Sequence, residues 1–387
     1  GVESDYRTGS GQMKLRNLLG VLLAAVIAGG IMYFILSRGG GEDGYVTAWY
    51  VEGSTAADGF KAAVEDYNAG LSRTAMPVKL TGFKDENALA DAFETDTPDI
   101  LLCAHYRAFD MHARGKLTDI SAALSGRVPD YPKGTASRSA AIGKSFFPIG
   151  ADVQALLINE ALCDAQGFET LEALCAAARE YTEEMGEPFF TADSFAALFF
   201  TTLLREGEEF TAQDAPGARS ENYIRLYNLL AEAAYDGALT AADEPGAASQ
   251  VYDGALPCAV VSVSQLSSKK SGFGVYPVPP LSAESGGGML GEAVGLAVTA
   301  GGSRSKSDIA AFVTWLFSGG RDIKLALQCS LVPAQNGTIS TRDARWSALM
   351  KLGAGEIIAM PVQESEFIEN RAAFEAEFRR SMEFLAG

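Results

Sequence analysis

His105, His112, five cysteines and a surplus of acids are the groups in this chain whose types could do chemistry. The two histidines stand seven residues apart with no glutamate arranged as in H-E-x-x-H, so zinc-protease chemistry has no helix face to work from. The cysteines, Cys103, Cys163, Cys175, Cys258 and Cys329, are odd in number and contain no C-x-x-C pair. Zinc and dithiol sites need close pairs, and a disulfide-rich secreted domain needs an even set. Contexts such as "DILLCA", "EALCAAA" and "LPCAVV" suit small buried hydrophobes instead. Adjacent acids, Glu183 with Glu184 and Glu208 with Glu209, point in different directions and read as solvated surface, not as a catalytic carboxylate pair.

Phosphate and hydrolase motifs fail on their surroundings. "GGGMLG" at 286–291 matches G-x-G-x-x-G, but a Pro/Ser loop precedes it and the strand-like "AVGLAVTA" follows, where a dinucleotide fingerprint needs a strand and then a helix. "GKS" at 143–145 resembles the end of a Walker A loop, yet Arg138 stands where the first glycine belongs and the chain runs on into a strand. There is no G-x-S-x-G elbow. "NGT" at Asn336 is a glycosylation pattern that reads as a turn. His105 stays a candidate because it ends a strand at the carboxyl edge, where parallel sheets bind ligands. A formal net charge of -18 repels phosphate backbones, which excludes nucleic acid as a partner. No metal and no cofactor is expected.

The elements that must position these residues alternate in type. "YVTAWYVEGS" (45–54) reads as a strand, followed by a helix capped by Ser54 or Thr55 with Ala57, Phe60, Val64 and Tyr67 on one face. "MPVKLTGF", a helix capped by Asp85, the apolar run "TPDILLCAH" and a further helix continue the alternation, which predicts a parallel α/β sheet with right-handed crossovers. Later helices carry Leu171, Leu174, Ala178 and Tyr181, then Tyr223, Leu226, Leu230 and Ala233, then Ile309, Phe312, Val313, Leu316 and Phe317 on single faces. A C-terminal helix carries Phe367, Phe374, Phe378, Met382 and Leu385 as one stripe.

Ahead of this body, Lys14 and Arg16 precede an apolar run from Leu18 to Leu36 that ends at Arg38. It is long enough to span a bilayer as a helix and long for a signal-peptide core. Residues 13–38 are therefore expected to be an uncleaved signal-anchor with the body outside, 39–44 a linker, and 1–12 a polar tail or cloning remnant.

Four patterns, taken together, resemble the extracellular solute-binding proteins of ABC importers, family 1, of maltose-binding-protein architecture. "VTAWYVEGSTAADGFKAAVEDYN" is similar to that family's first strand, ligand loop and first helix. "TPDILLCAHYRAFDMHARGKLTDIS" resembles its Pro-Asp strand and following helix, and "FFPIGADVQALLINEALCDAQGF" its hinge strand. "EAVGLAVTAGGSRSKSDIAAFVTWLFSGG" with "SLVPAQ" resembles its return strand, helix and Val-Pro turn.

The resemblance implies a two-lobed α/β fold of the type II periplasmic-binding-protein class, joined by hinge crossovers. Lobe 1 would comprise 45–147 and 286–334 and lobe 2 148–285, with 335–387 packing on lobe 2. Pro148, Gly150, Gly286 and Gly288 would be the hinge. The implied pocket takes Trp49, Tyr50, Glu52 and Ser54 after the first strand, and His105, Tyr106 and Arg107 after the third. Asp152 and Gln154 would come from the hinge strand, Phe190, Asp193 and Ser194 from a helix start, Ser262 and Ser264 from "VSVSQ", and Glu292 from "GEAVG".

Implied function is capture of a small polar solute (a sugar, polyol or small anion) by a membrane-anchored monomer, and its delivery to ABC permease subunits with no chemical reaction. Two features depart from the family: no lipid-anchor cysteine follows the apolar segment, and aromatic side chains are sparse for an oligosaccharide groove between 189 and 268. With Arg107 and His105 present, a carboxylate or phosphate is the alternative ligand. A sensor or scaffold of the same fold, and a tethered hydrolase, are the other readings; the hydrolase lacks an assembled nucleophile and base.

Overall fold

The computed structural model of the chain describes residues 44–71, 75–124, 143–164, 167–208, 220–241, 246–267, 272–283, 285, 289–335, 339–353, 357–359, 372–381 and 384. The apolar segment 13–38, Gly286, Gly288 and Asn336 lie outside them, as do Phe367, Met382 and Leu385 of the C-terminal stripe. Among the described residues no helix is long and apolar enough to cross a membrane.

The first half of lobe 1 alternates strand and helix: β1 (Val46–Val51), α1 (Ala57–Ala69), β2 (Val78–Phe83), α2 (Glu86–Phe93), β3 (Ile100–Ala104) and α3 (His105–Ala113). β1 pairs in parallel with both β2 and β3. α1 buries Ala57, Phe60, Val64 and Tyr67, the face its periodicity predicts. The Asp85 carboxylate accepts from the Ala88 amide at 2.8 Å, a cap worth about 1 kcal/mol. The cap expected at Ser54 or Thr55 is not made. Ala56 precedes α1 without a side-chain bond, and the Ser54 hydroxyl donates back to the Val51 carbonyl at 2.8 Å, closing the turn through Gly53.

Both faces of this sheet are covered, which explains why β3 is a continuous apolar run. Val46, Ala48 and Tyr50 of β1, with Ile100 and Leu102 of β3, enter one core with Phe60 and Phe312. Trp49, Leu101 and Cys103 face the other way into a second core with Leu89 and Phe146.

A short helix, α4 (Ser121–Leu124), leads toward β4 (Phe146–Asn159), fourteen residues long and the strand on which the whole fold hangs. Its first part, Phe146–Val153, pairs antiparallel with β9 (Met289–Val298). Its second part, from Gln154 on, pairs antiparallel with β7 (Cys258–Ser262) on one side and β8 (Phe273–Pro277) on the other. Lobe 1 thus has the order β2-β1-β3-β9-β4, and lobe 2 continues β4-β7-β5-β6 through β5 (Phe190–Ala192) and β6 (Leu239–Ala241). The sheet is mixed, not purely parallel, because β9 returns antiparallel to both β3 and β4.

The bend expected at Pro148 and Gly150 is a different feature. The register slips by a residue between them, but both stay inside the β9 ladder, and the exchange of partner strands comes later, between Val153 and Gln154. The division expected at 147/148 therefore falls within lobe 1 pairing. Gly150 serves close approach: a Cβ there would stand 2.8 Å from the Val332 carbonyl oxygen and 2.9 Å from the Leu331 Cβ.

Lobe 2 packs α5 (Leu171–Met185), α6 (Phe195–Arg205) and α7 (Glu221–Tyr235) around Phe190, Phe199, Leu226 and Leu230. On the other face of this sheet α8 (Ala247–Tyr252) and α11 (Ala344–Gly353) cover Ala155, Leu157, Ala259 and Val261. α9 (Lys306–Leu316) buries Ile309, Phe312, Val313 and Leu316 in lobe 1. α10 (Arg321–Gln328) and β10 (Val332–Pro333) follow, β10 pairing with β4 at Gly150 and Ala151, and β11 (Ile357–Ala359) pairs with β9. A last helix, α12 (372–381), presses Phe374 and Phe378 into the lobe 2 core. None of the five cysteines is in a disulfide, and Cys103, Cys175 and Cys258 are buried.

Candidate functional site

Where β4 exchanges its lobe 1 partner for its lobe 2 partner, the sheet opens into a cavity of about 280 Å³. Asp152, Val153 and Gln154 of β4 form its floor, with Gly291 and Glu292 of β9 beside them. Lobe 2 supplies Asp193, Ser194, Ala197 and Thr201 from the start of α6, and Ser262 and Gln265 from the end of β7. The register places Asp152 opposite Glu292 and Gln154 opposite Ser262, so consecutive outward positions of one strand meet one lobe and then the other.

The polar lining is cross-braced. Ser262 Oγ donates to the Asp152 carboxylate, 2.6 and 2.8 Å from its two oxygens, and also contacts Ser264 Oγ. The Asp193 carboxylate ties three segments: it accepts from the Ser262 amide at 2.6 Å, from Gln265 Nε2 at 3.1 Å and from Gln154 Nε2 at 3.3 Å. Gln154 Oε1 is buried and has no hydrogen-bond partner among the described residues. Burial, with Glu292 and Asp193 adding, pushes the Asp152 carboxyl above its ordinary value, against the opposing pull of the Ser262 and Ser264 hydroxyls.

α6 begins beside the cavity with Ser194 as its cap, Oγ accepting from the Ala197 amide at 3.1 Å. A second carboxylate arrives from far along the chain. Glu375 of α12 accepts from the Ala196 amide at 2.7 Å and from Ser194 Oγ at 3.2 Å, while Arg379 Nε donates to it at 2.6 Å. Arg379 also donates to the Asp193 carbonyl at 3.3 Å and lies over the Phe195 ring.

Of the residues proposed from the sequence, Asp152, Gln154, Asp193, Ser194, Ser262 and Glu292 line this cavity, and Ser264 sits behind Ser262. The others do not. Phe190 is fully buried in the lobe 2 core. Trp49 packs against Phe83 and Phe93, and Tyr50 enters the opposite core, because both faces of β1 are covered. His105, 4% exposed, sets its ring edge-on to Phe146 at 5.4 Å, which makes it a core residue at the start of α3. Arg107 forms an ion pair with Glu86. Glu52 and Ser54 are exposed on the turn after β1, and Tyr106 is half-buried on α3.

Gln265, Ala197 and Thr201 were missed by sequence reasoning. Ser194, Ala197 and Thr201 follow the three- and four-residue spacing of one helix face, a signal that was there to read. Among the described residues no group of three or more His, Cys, Asp or Glu is placed to hold a metal ion.

Two lobes sharing a strand, with a polar cavity at the exchange, define a two-lobed solute-binding fold. The chain belongs to the bacterial extracellular solute-binding protein family, whose profile matches residues 37–319. That family is one of binding proteins. The fold is shared with the cyclic alpha-maltosyl-1,6-maltose binding protein from Arthrobacter globiformis, at 19% identity over 89% of this chain and 94% of that one, with a TM-score of 0.68. The GacH receptor of Streptomyces glaucescens GLA.O is similar at 18% identity over 89% and 93%, TM-score 0.64. UgpB from Mycobacterium tuberculosis, solved in complex with glycerophosphocholine, is similar at 16% identity over 89% and 97%, TM-score 0.64. No curated protein sequence matches the chain.

Proposed function

We propose that this protein is the capture subunit of an ABC importer, tethered to the membrane by residues 13–38, and that it holds a small polar solute in the cavity at the β4 exchange. One observation carries the reading: side chains from β4, β9, β7 and α6 converge on one polar cavity where a single strand belongs to both lobes. Fixed donors and acceptors in a concave site orient a solute without altering it, and among the described residues the lining holds no cysteine, histidine or lysine.

In this reading the turn after β1, carrying Glu52 and Ser54, and the start of α3, carrying Tyr106, close over the solute as lobe 1 rotates about β4. The solutes in the names of the structural relatives, maltosides among them, support a sugar-like or polyol-like size. The protein acts as a monomer that presents its closed form to permease subunits.

The test is a thermal-shift survey of the full chain in mild detergent against sugars, polyols, amines, amino acids and phosphates, followed by small-angle scattering with any compound that binds. A rise in melting temperature together with a smaller radius of gyration is expected. No shift with any class of compound would overturn the capture reading.

A further inference from the structure

We infer that Glu375 and Arg379 of α12 are positioning residues for the solute: they fix the Asp193–Ser194 corner from behind, and that corner sets the lobe 2 wall of the cavity. This rests on the capture reading above and adds residues that act on the solute through others. Neither residue lines the cavity, and α12 lies beyond residues 37–319, which the family profile matches.

The corner is where the polar lining is tied together. The Asp193 carboxylate accepts from the Ser262 amide, Gln265 Nε2 and Gln154 Nε2, and the Ser194 carbonyl accepts from Gln154 Nε2 at 3.4 Å. Ser262 in turn donates to Asp152. Gln154, Gln265 and Ser262 therefore take their places from Asp193 and Ser194, and Asp152 does so through Ser262.

Two amides in the first turn of α6 need acceptors. The Ser194 hydroxyl takes that of Ala197, and Glu375 takes that of Ala196, so the distant carboxylate completes the cap and adds negative charge where a helix start favours it. Glu375 also accepts from Ser194 Oγ, which sets the direction of that hydroxyl. Arg379 Nε donates to Glu375, and another nitrogen of the same guanidinium donates to the Asp193 carbonyl. One planar fork thus holds Asp193 directly and Ser194 through Glu375, which a lysine ammonium on one flexible stem does not reproduce.

These contacts are separate from the docking of the helix. Phe374 and Phe378 seat α12 in the lobe 2 core. Glu375 and Arg379, one residue further along at the same four-residue spacing, reach the corner. A binding wall works only when its groups are held to about 0.5 Å, and a wall that must be ordered at the moment of binding costs affinity.

Hydrogen exchange of the full chain in mild detergent, read on overlapping peptides by mass spectrometry, tests this without a solute. Arg379→Ala and Glu375→Ala are compared with wild type and with Leu230→Val, which thins the lobe 2 core on α7. In both polar variants the Ser262 amide, whose acceptor is Asp193, is expected to exchange about tenfold faster or more, while β1 and β3 keep their rates. Leu230→Val is expected to lower the melting temperature without that local change. The same proteins are titrated with maltose, sorbitol and glycerol 3-phosphate. Any of these that binds wild type should bind the two alanine variants about tenfold or more weakly and Leu230→Val nearly unchanged. Arg379→Lys and Glu375→Gln run alongside, so that an alanine variant that fails to fold leaves a folded one to decide. If Ser262 exchanges at the wild-type rate in the folded variants, or if a compound binds them as tightly as wild type, α12 serves the core alone and the inference is overturned while the capture reading stands. If none of the three compounds binds wild type, the exchange rates decide the inference, and the wider survey decides the capture reading.

Discussion

Asp152 and Glu292 are opposed carboxylates on β4 and β9, one pair before Val153 and Gly291, the last at which β4 keeps its lobe 1 partner. Directly opposed like charges in an antiparallel pair are destabilising by roughly 0.2–1 kcal/mol. Asp152→Asn keeps an acceptor for the Ser262 hydroxyl and removes one of the two charges. It is expected to stabilise the ligand-free protein by about 0.5 kcal/mol at neutral pH, measured as a shifted urea midpoint at unchanged slope. A clear loss of stability would mean that the carboxylate is worth more to Ser262 than its repulsion costs.

The pH dependence of that difference follows from the raised Asp152 carboxyl. Its ordinary value is 3.8, and burial first, then Glu292 and Asp193, lift it in the folded state. Between the ordinary and the raised value the folded protein binds more protons than the unfolded chain, so this group's contribution to stability rises as pH falls through the window and is poorest at neutral pH. Asparagine has no such slope. The advantage of Asp152→Asn over wild type is therefore expected to shrink as urea unfolding is repeated from about pH 7 down toward pH 4. A difference that stays constant or widens on acidification contradicts this.

Glu375 joins α12 to the start of α6, and its removal separates support of the cavity from lining of it. Glu375→Ala leaves the Ala196 amide without its acceptor and Arg379 without its carboxylate. The expected cost is about 1–2 kcal/mol in chemical unfolding, together with weaker solute binding because Ser194 and Asp193 lose their backing. Glu375→Gln, which keeps one oxygen for the Ala196 amide, should recover part of both. Equal affinity in wild type and Glu375→Ala would confine the role of α12 to the lobe 2 core.

Gly295 of β9 lies against β4 so closely that a Cβ would stand 2.7 Å from the Pro148 Cα and 2.8 Å from the Phe147 carbonyl carbon. Backbone cannot move aside as a side chain can, so Gly295→Ala should cost about 3 kcal/mol or more and depress soluble yield. Gly246→Ala, which meets nothing within 4 Å, is the control, with an expected loss near 1 kcal/mol at most. Comparable melting temperatures for the two variants would show that β4 and β9 can separate without loss.

Helix faces were the most legible part of the fold. The buried set of α1, and most of those of α5, α7 and α9, are the periodic apolar positions, and the Asp85 cap is where its residue type places it. Site residues were less legible, for a definable reason. Trp49, Tyr50 and His105 sit at the carboxyl ends of strands, where a polar or aromatic residue can face a ligand or a neighbouring helix with the same local sequence. Helices and return strands cover both faces here, so all three are buried.

The sequence by itself determined the alternation of strands and helices, the family and the acidic character of the surface, because periodicity and composition are set by residues close together in the chain. Only the tertiary structure decided which acids meet. Asp152 faces Glu292 through the register of two distant strands, β4 changes partners at Val153 and Gln154 and not at its proline and glycine, and Glu375 reaches α6 across a sequence separation of 179 residues. Those pairings depend on how whole layers pack, and no local pattern encodes them.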